Sequence, residues 1–369
     1  MTAGPVAGGA ARGSACEPAS GAASRPEPAA GNVRSVRGRS ALALGVVVTV
    51  VLLVAAVWAS LAVGPGDVSV RDVVAGLLDP DVSDKGRLIV REERVPRTVT
   101  GLLVGVALGL AGAVMQGVAR NPLADPGILG VNAGASVAVV FGIGVLGLTA
   151  PTQYLWCGFL GALLSAILVY GIGSLGREGA TPVKLALSGA AASAVLGSLT
   201  TALLLRDRVL FDRFRFWRVG SLSVPDPEVL WQALPFVAVG VVFALALGPR
   251  LNALSLGDDL ARALGQRVGR ARLAAAAAVM LLCGAATAVA GPIGFVGLVV
   301  PHAARLFTGP DYRWVLPYSA LLAPVLVLVS DVVGRLLDQP GGVQVGIVTA
   351  VLGAVPFIVL VRRRRLVEL

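Results

Sequence analysis

Residues 291–306 read GPIGFVGLVVPHAARL. Two prolines, three glycines, the only histidine of the chain and an arginine interrupt sequence that is otherwise apolar enough for a membrane interior. A span facing lipid would not be built this way. Glycine and proline weaken a helix, and backbone groups freed inside a bilayer must find partners within the protein. The segment therefore lines a protein interior, and what surrounds it must be other membrane helices.

The rest of the chain supplies them. Of 369 residues, 56% are hydrophobic and 14% charged, the mean hydropathy is +0.83, and apolar runs recur between residues 41 and 361. Runs of about twenty residues are long enough to cross a bilayer. The class is an all-α polytopic membrane protein. The formal charge of +10 raises nucleic acid as a partner, but the basic residues sit mainly in short segments between apolar runs, where they orient spans toward the cytoplasmic leaflet. No nucleic-acid binding is expected, and the contacting medium is membrane lipid. Cys16, Cys157 and Cys283 have no C-x-x-C spacing; the last two lie in apolar runs and read as small buried hydrophobes.

Residues 1–40 are rich in Ala, Gly, Pro and Ser and cannot bury a core, so they are expected to form a disordered cytoplasmic tail. Residues 41–63 are longer than the apolar core of a signal peptide, about 7–15 residues, and lack a convincing cleavage site; they read as the first span. Breaks between apolar runs predict ten spans at 41–63, 98–117, 127–148, 153–175, 184–205, 229–248, 272–290, 293–308, 314–335 and 345–361. Residues 41–369 would then form one transmembrane domain, with its longest inner loop at about 249–271. Ten spans put both termini on one side, and with that side inside, the larger share of the 31 lysines and arginines faces the cytoplasm. Were 294–307 merely re-entrant, the run Arg362–Arg365 would face outward, against that bias.

Three polar segments stand out. RVPR at 94–97 lies at the outer mouth of the second span, after a loop with an amphipathic stretch near Ser69–Leu78. Paired guanidinium groups there suit an acidic partner, although ordinary interfacial anchoring is the simpler reading of the residues alone. QGVARNPLADPGILGVNAGA at 116–135 stops one helix at Asn121-Pro122 and starts the next at Asp125-Pro126. Helix packing explains it, and a place beside a pathway is the other reading. LNALSLGDDLARALGQRVGRAR at 251–272 reads as two short helices broken at Gly257, with Leu251, Leu254, Leu256, Leu260 and Leu264 on an apolar face. That face suits either a groove on a soluble protein or the membrane surface.

Together these segments resemble the FecCD-type permeases of ABC importers, which carry iron-siderophores, haem or cobalamin. The resemblance rests on RVPR at 94–97, Q-x-x-x-R-N-P-L-A at 116–124, L-N-x-L-x-L-G-x-x-x-A-x-x-L-G at 251–265 and G-P-I-G-F-V-G-L-x-x-P-H-x-x-R at 291–305. Further matches are Trp217-x-x-Gly220-Ser221, Gly309-x-Asp311-x-Arg313, Asp331-x-x-x-Arg335 and the run 345–350. It implies a dimer of ten-helix subunits, two identical chains or a paralogous pair, in a bacterial cell membrane, with two ATPase subunits inside and a substrate-binding protein outside. It further implies that Arg94, Arg97 and Arg335 receive carboxylates of the binding protein, and that Leu251, Asn252, Leu254, Leu256, Gly257, Ala261, Leu264 and Gly265 belong to the loop coupled to the ATPase. Gln116, Arg120, Asn121, Pro122, Gly291, Pro292, Gly294, Pro301, His302 and Arg305 belong to its packing and pathway motifs. Residues 176–184 correspond to the family's inner gate. Two departures are Gly342, where many members have Glu, and Tyr312, where His is common. The inverted repeat expected of such folds leaves no convincing internal similarity here.

The chemistry expected follows from what is lacking. There is no G-x-x-x-x-G-K-[ST] loop, so no cofactor is bound by this chain and magnesium ATP sits on the partner ATPase. A lone His302 without Cys, His or carboxylate companions is a poor metal site. Spans almost free of ionisable residues argue against an ion-coupled transporter, with Asp331 expected to pair with Arg335 one turn on. The chain is expected to be a transport subunit and not an enzyme.

Overall fold

The computed structural model describes residues 39–66, 68–78, 85–175, 181–223, 226–338 and 342–362. The N-terminal tail, apart from its last two residues, and residues 176–180 of the expected gate lie outside these. In chain order the helices are α1 (Arg39–Ala62), α2 (Val70–Leu78), α3 (Lys85–Leu88), α4 (Val95–Ala119), α5 (Val131–Gly144), α6 (Pro151–Gly173), α7 (Pro182–Leu205), α8 (Arg208–Val219), α9 (Glu228–Ala246), α10 (Gly248–Ser255), α11 (Asp258–Ala263), α12 (Val268–Ala290), α13 (Val296–Thr308), α14 (Tyr312–Leu337) and α15 (Val345–Arg362). A π-helical turn, Ile89–Arg94, joins α3 to α4, and a 3-10 turn, Pro126–Leu129, leads into α5.

Every predicted span contains one of these helices, and seven of them are long and apolar enough to cross a membrane unaided. The exceptions are α5, α13 and α15. At 1.5 Å per residue the 13 residues of α13 cover about 20 Å, short of a hydrocarbon core of about 30 Å. Its N-terminal end is broken because Gly291 and Phe295 both have left-handed backbone, at φ 72° and 67°. Phe295 is one of only two described non-glycine residues held so. The break is kept by hydrogen bonds from Gly291 N to Thr287 O (2.9 Å) and Ser221 N to Ala290 O (2.8 Å). That satisfies backbone that lipid could not.

The core is built on α4 and α12, whose apolar windows are 83% and 72% buried, against 17% for α1 and 22% for α7. Small residues make this possible. A Cβ on Gly105 would lie 2.5 Å from Pro324 Cα and one on Gly109 2.6 Å from Ser319 O, so α4 touches α14 backbone to backbone. A Cβ on Gly112 would collide with Gly297 of α13. Without a hydrophobic drive between helices in lipid, such contact supplies the dispersion energy that holds them.

Outside the bundle, α2 begins at Ser69, whose hydroxyl accepts from Asp72 N (3.2 Å) and donates to the Asp72 carboxylate (2.6 Å). The side-chain bond, then that from the Ser69 amide, pulls this carboxyl below its ordinary range. Of the longer helices, α8 was not anticipated. Asp207 caps it by accepting from Val209 N (2.8 Å) and Leu210 N (3.4 Å), and Leu210 and Phe214 are buried beneath it.

Candidate functional site

At one end of the bundle, α1 stops near Ala62 with its last carbonyls unpaired by helix. Two arginines take them. Arg94 donates through Nη1 to Leu61 O (2.8 Å) and Ala62 O (2.9 Å), and through Nη2 to Gly64 O and Pro65 O (both 3.3 Å). Arg335 donates through Nη1 to Ser60 O (3.1 Å) and Val63 O (2.8 Å) and through Nη2 to Ser60 Oγ (3.2 Å). Cations at a helix C-terminus are favourable on both hydrogen-bonding and dipole grounds. Asp331, fully buried, accepts from Arg97 Nε at 2.9 and 3.0 Å and pairs with Arg97 Nη2 at 2.8 Å and Arg335 Nε at 3.1 Å. The expected Asp331–Arg335 pair is present; its second partner, Arg97, is not visible from spacing.

These contacts correct the reading of all three arginines as open to an outside partner. Arg94 and Arg335 are 3% and 4% exposed, and their guanidinium groups face the end of α1. Arg97 keeps 21% side-chain exposure. It is the most exposed of the three, with its Nε and Nη2 held by Asp331.

At the opposite end of the bundle a chain of buried polar groups starts from Pro301. Proline has no N–H, so the carbonyl four residues back, Gly297 O, loses its helical donor. Gln116 of α4 supplies one, donating through Nε2 to Gly297 O (3.3 Å) and Leu298 O (3.1 Å). Its Oε1 accepts from Arg305 Nη1 at 2.6 Å, and Arg305 Nη2 donates to Tyr312 Oη at 3.0 Å. Gln116, Arg305 and Tyr312 are each at most 1% exposed. From Tyr312 the chain reaches α10: Tyr312 N donates to Asn252 Oδ1 (2.8 Å) and Asn252 Nδ2 donates to Asp311 Oδ1 (2.6 Å). Gln116, Pro301 and Arg305, singled out separately in the sequence, thus belong to one assembly with Asn252. His302 is 2% exposed beside it, and neither ring nitrogen has a hydrogen-bond partner among the described residues.

Arg120 closes α4 in left-handed backbone, φ 49°, and reaches Asp258 at 2.8 Å. Asp258 also takes Arg272 at 3.0 Å, so the start of α11 is fastened to α4 and α12. Asn121 Oδ1 accepts from Leu123 N (2.9 Å), which shapes the turn at Pro122. The two-helix reading of the inner loop holds, with Gly257 between them at φ 106°. Its single apolar face does not. Leu251, Leu254 and Ala261 are buried against the bundle, whereas Leu256, Leu260 and Leu264 are 58%, 57% and 63% exposed and, with Gly265, form the outward side. Helical spacing alone could not separate the two sets, because the chain turns at Gly257.

At the broken helix, Gly291 abuts the Trp217 carbonyl, Pro292 is half-buried and Gly294 exposed. Among the described residues no three of His, Cys, Asp and Glu come together.

Long apolar helices packed through small residues, with a loop fastened to them by ion pairs, define a polytopic membrane protein. The chain matches the FecCD transport family over residues 52–363 and belongs to it. It is 40% identical over 312 residues to the probable siderophore transport system permease protein YfiZ of Bacillus subtilis, covering 85% of this chain and 93% of that one. It is 47% identical over 276 residues to the ferric enterobactin transport system permease protein FepD of Escherichia coli, covering 75% and 82%. A cobalamin import system permease protein, BtuC of Halobacterium salinarum, is 39% identical over 289 residues, covering 77% and 76%. Among solved structures, an inward-facing metal-chelate-type ABC transporter superposes with a TM-score of 0.76 at 28% identity, covering 87% of this chain and 99% of that one.

Proposed function

We propose that this chain is the membrane-spanning subunit of an ATP-driven importer that moves a ferric siderophore inward from an extracytoplasmic binding protein. The observation that carries the reading is Asn252, which ties the exposed inner loop to the buried Tyr312–Arg305–Gln116 assembly and so gives a partner at the inner face a hold on the transmembrane core. Leu256, Leu260 and Leu264 supply the apolar surface on which an ATPase subunit docks, and magnesium ATP binds there, on the partner. Arg97 meets a carboxylate of the binding protein, while Arg94 and Arg335 hold the mouth in shape. Two such chains, or this chain and a paralogue, pair about a central path, with residues 41–369 as the permease domain and both termini cytoplasmic. The orientation is supported by the positive bias of the inner segments.

Siderophore is preferred as cargo because permeases named for siderophore, enterobactin, hydroxamate and ferric citrate recur among the relatives. The halobacterial cobalamin permease keeps cobalamin as a second reading. Uptake of 55Fe-labelled siderophore and of labelled cobalamin, in cells with and without the gene under iron limitation, separates them. Loss of iron uptake alone supports the first, loss of cobalamin uptake alone the second, and loss of neither overturns the importer reading.

A further inference from the structure

For a helix in water, α2 is built inside out. Val70, Val74, Leu77 and Leu78, at i, i+4, i+7 and i+8, share one side of it and are 42–80% exposed. Asp72 is turned the other way, toward α3: it accepts from Ser69 N (2.9 Å) and Ser69 Oγ (2.6 Å), and a Cβ on Gly86 would lie 3.2 Å from its carboxylate. A surface helix of a soluble protein does the reverse, apolar stripe to the core and polar side to water. The height of α2 says what covers its stripe. Val73, fully buried, forms one apolar cluster with Leu61 and Val90, with Val57 packed against it, so α2 lies beside the last two turns of α1 and not above them. Those turns carry Val54 and Trp58, exposed one turn apart on a helix long and apolar enough to cross the membrane, and tryptophan so placed marks the boundary of acyl chains and headgroups. The stripe is therefore level with that boundary and beside a surface that lipid already covers. Its four side chains are aliphatic, whereas protein partners are gripped through Trp, Tyr and Arg anchors. The exposed charges that follow, Lys85 and Arg91 against Glu92 and Glu93, are of both signs and select no partner.

We infer that α2 is an interfacial helix, with Val70, Val74, Leu77 and Leu78 seated among phospholipid acyl chains in the leaflet where α1 ends. Such a helix sinks its apolar side about 5–10 Å into the boundary. Arg71, exposed at the edge of the stripe, lays its stem on the chains and carries its guanidinium back to the phosphates. The seat reaches further than α2 itself. A Cβ on Gly76 would lie 3.2 Å from both Arg87 O and Val90 Cβ, so α2 is packed without slack on α3 and on the π-turn that ends at Arg94, and the leaflet bears on that turn through it. The inference concerns neither cargo nor direction of transport and does not rest on the importer reading.

The test reconstitutes the full chain in nanodiscs of phosphatidylethanolamine and phosphatidylglycerol, with a benzophenone amino acid in place of Val74 or of Leu77, and identifies the photoadducts by mass spectrometry. Leu52, exposed on α1, is the lipid reference position, and Glu92, exposed beyond α3, the water reference. Positions 74 and 77 are expected to give phospholipid adducts within about threefold of position 52 and about tenfold or more above position 92. Val74→Asp/Leu78→Asp changes only exposed side chains and should cut the lipid adducts of a probe at position 77 about tenfold, while Val74→Ile/Leu78→Met should leave them unchanged. Lipid yields at 74 and 77 no higher than at 92 would overturn the seating. So would adducts to a second copy of the chain, or to an added binding protein, in place of lipid. Any of these results leaves the importer reading to be decided by the uptake experiment alone.

Discussion

Replacing Gln116 with Leu should be more damaging than replacing the charged Arg305 with Met. Gln116→Leu strips Arg305 Nη1 of its 2.6 Å acceptor and leaves Gly297 O, already deprived by Pro301, with no donor. A hydrogen bond to a charged group is worth about 1.5–3 kcal/mol and an orphaned buried carbonyl costs about 1–3, so the expected loss is about 2.5–6 kcal/mol. Arg305→Met orphans Gln116 Oε1 and Tyr312 Oη, but it also removes a guanidinium that is 1% exposed, and release from that desolvation offsets part of the loss. About 1–3 kcal/mol remains. The double variant Gln116→Leu/Arg305→Met has no stranded charge, so it should fall short of the sum of the singles by about 1.5–3 kcal/mol. Unfolding by SDS titration in mixed micelles, followed by circular dichroism, reads all four corners. Additivity within about 0.5 kcal/mol would refute the argument, since the two side chains would then not be energetically coupled.

Four further outcomes follow from the same geometry. Gly112→Val drives a side chain into Gly297 and should abolish folded protein on size-exclusion chromatography, while Gly269→Ala, which meets nothing within 4 Å, should gain up to about 1 kcal/mol. Leu256→Asp, Leu260→Asp and Leu264→Asp together should leave a folded permease that no longer copurifies with its ATPase; Leu251→Asp, at a fully buried site, should cost the fold itself. Asn252→Ala should keep ATP hydrolysis while uptake falls, and Asn252→Asp should do worse by setting a carboxylate against Asp311, now 2.6 Å from the amide; equal ATP-to-substrate ratios in all three would sink the coupling role. Arg97→Glu should remove binding-protein stimulation in a salt-dependent way, whereas Arg94→Met should act on stability at any salt, because Arg97 keeps 21% side-chain exposure and Arg94 is buried against the end of α1.

The spans were legible because hydropathy reports the solvent, and lipid leaves little freedom in how a backbone crosses it. The two-helix inner loop and the Asp331–Arg335 pair were legible because both are local, set by Gly257 and by i,i+4 spacing. The remainder depends on which helices become neighbours. Arg97 meets Asp331 across 234 positions and Gln116 meets Arg305 across 189, separations on which periodicity is silent. Arg94 read as an outer charge because sequence shows the residue and not the helix end waiting beside it. The short α8 was hidden among arginines, although Asp207 as a cap and Leu210, Phe214 and Trp217 at i, i+4 and i+7 would have announced it.

Pro301 explains why these polar side chains sit at the inner end and not elsewhere in the bundle. In a helix facing lipid, the carbonyl it frees would have no partner; here α4 can approach closely, because Gly112 lets it lie on Gly297, and Gln116 arrives one turn further on to meet that carbonyl. Gln116 then needs an acceptor's partner for Oε1, which brings Arg305, and Arg305 needs a second acceptor, which brings Tyr312. Each residue answers a deficit created by the one before, until Asn252 carries the series to the inner surface. A buried polar series of this kind is a poor source of stability compared with apolar packing, and its value lies in fixing register. Shifting α13 along α4 by one residue would strand every member at once. The start of α13 is therefore tied to α4 through Gln116, and the start of α14 to α10 through Asn252.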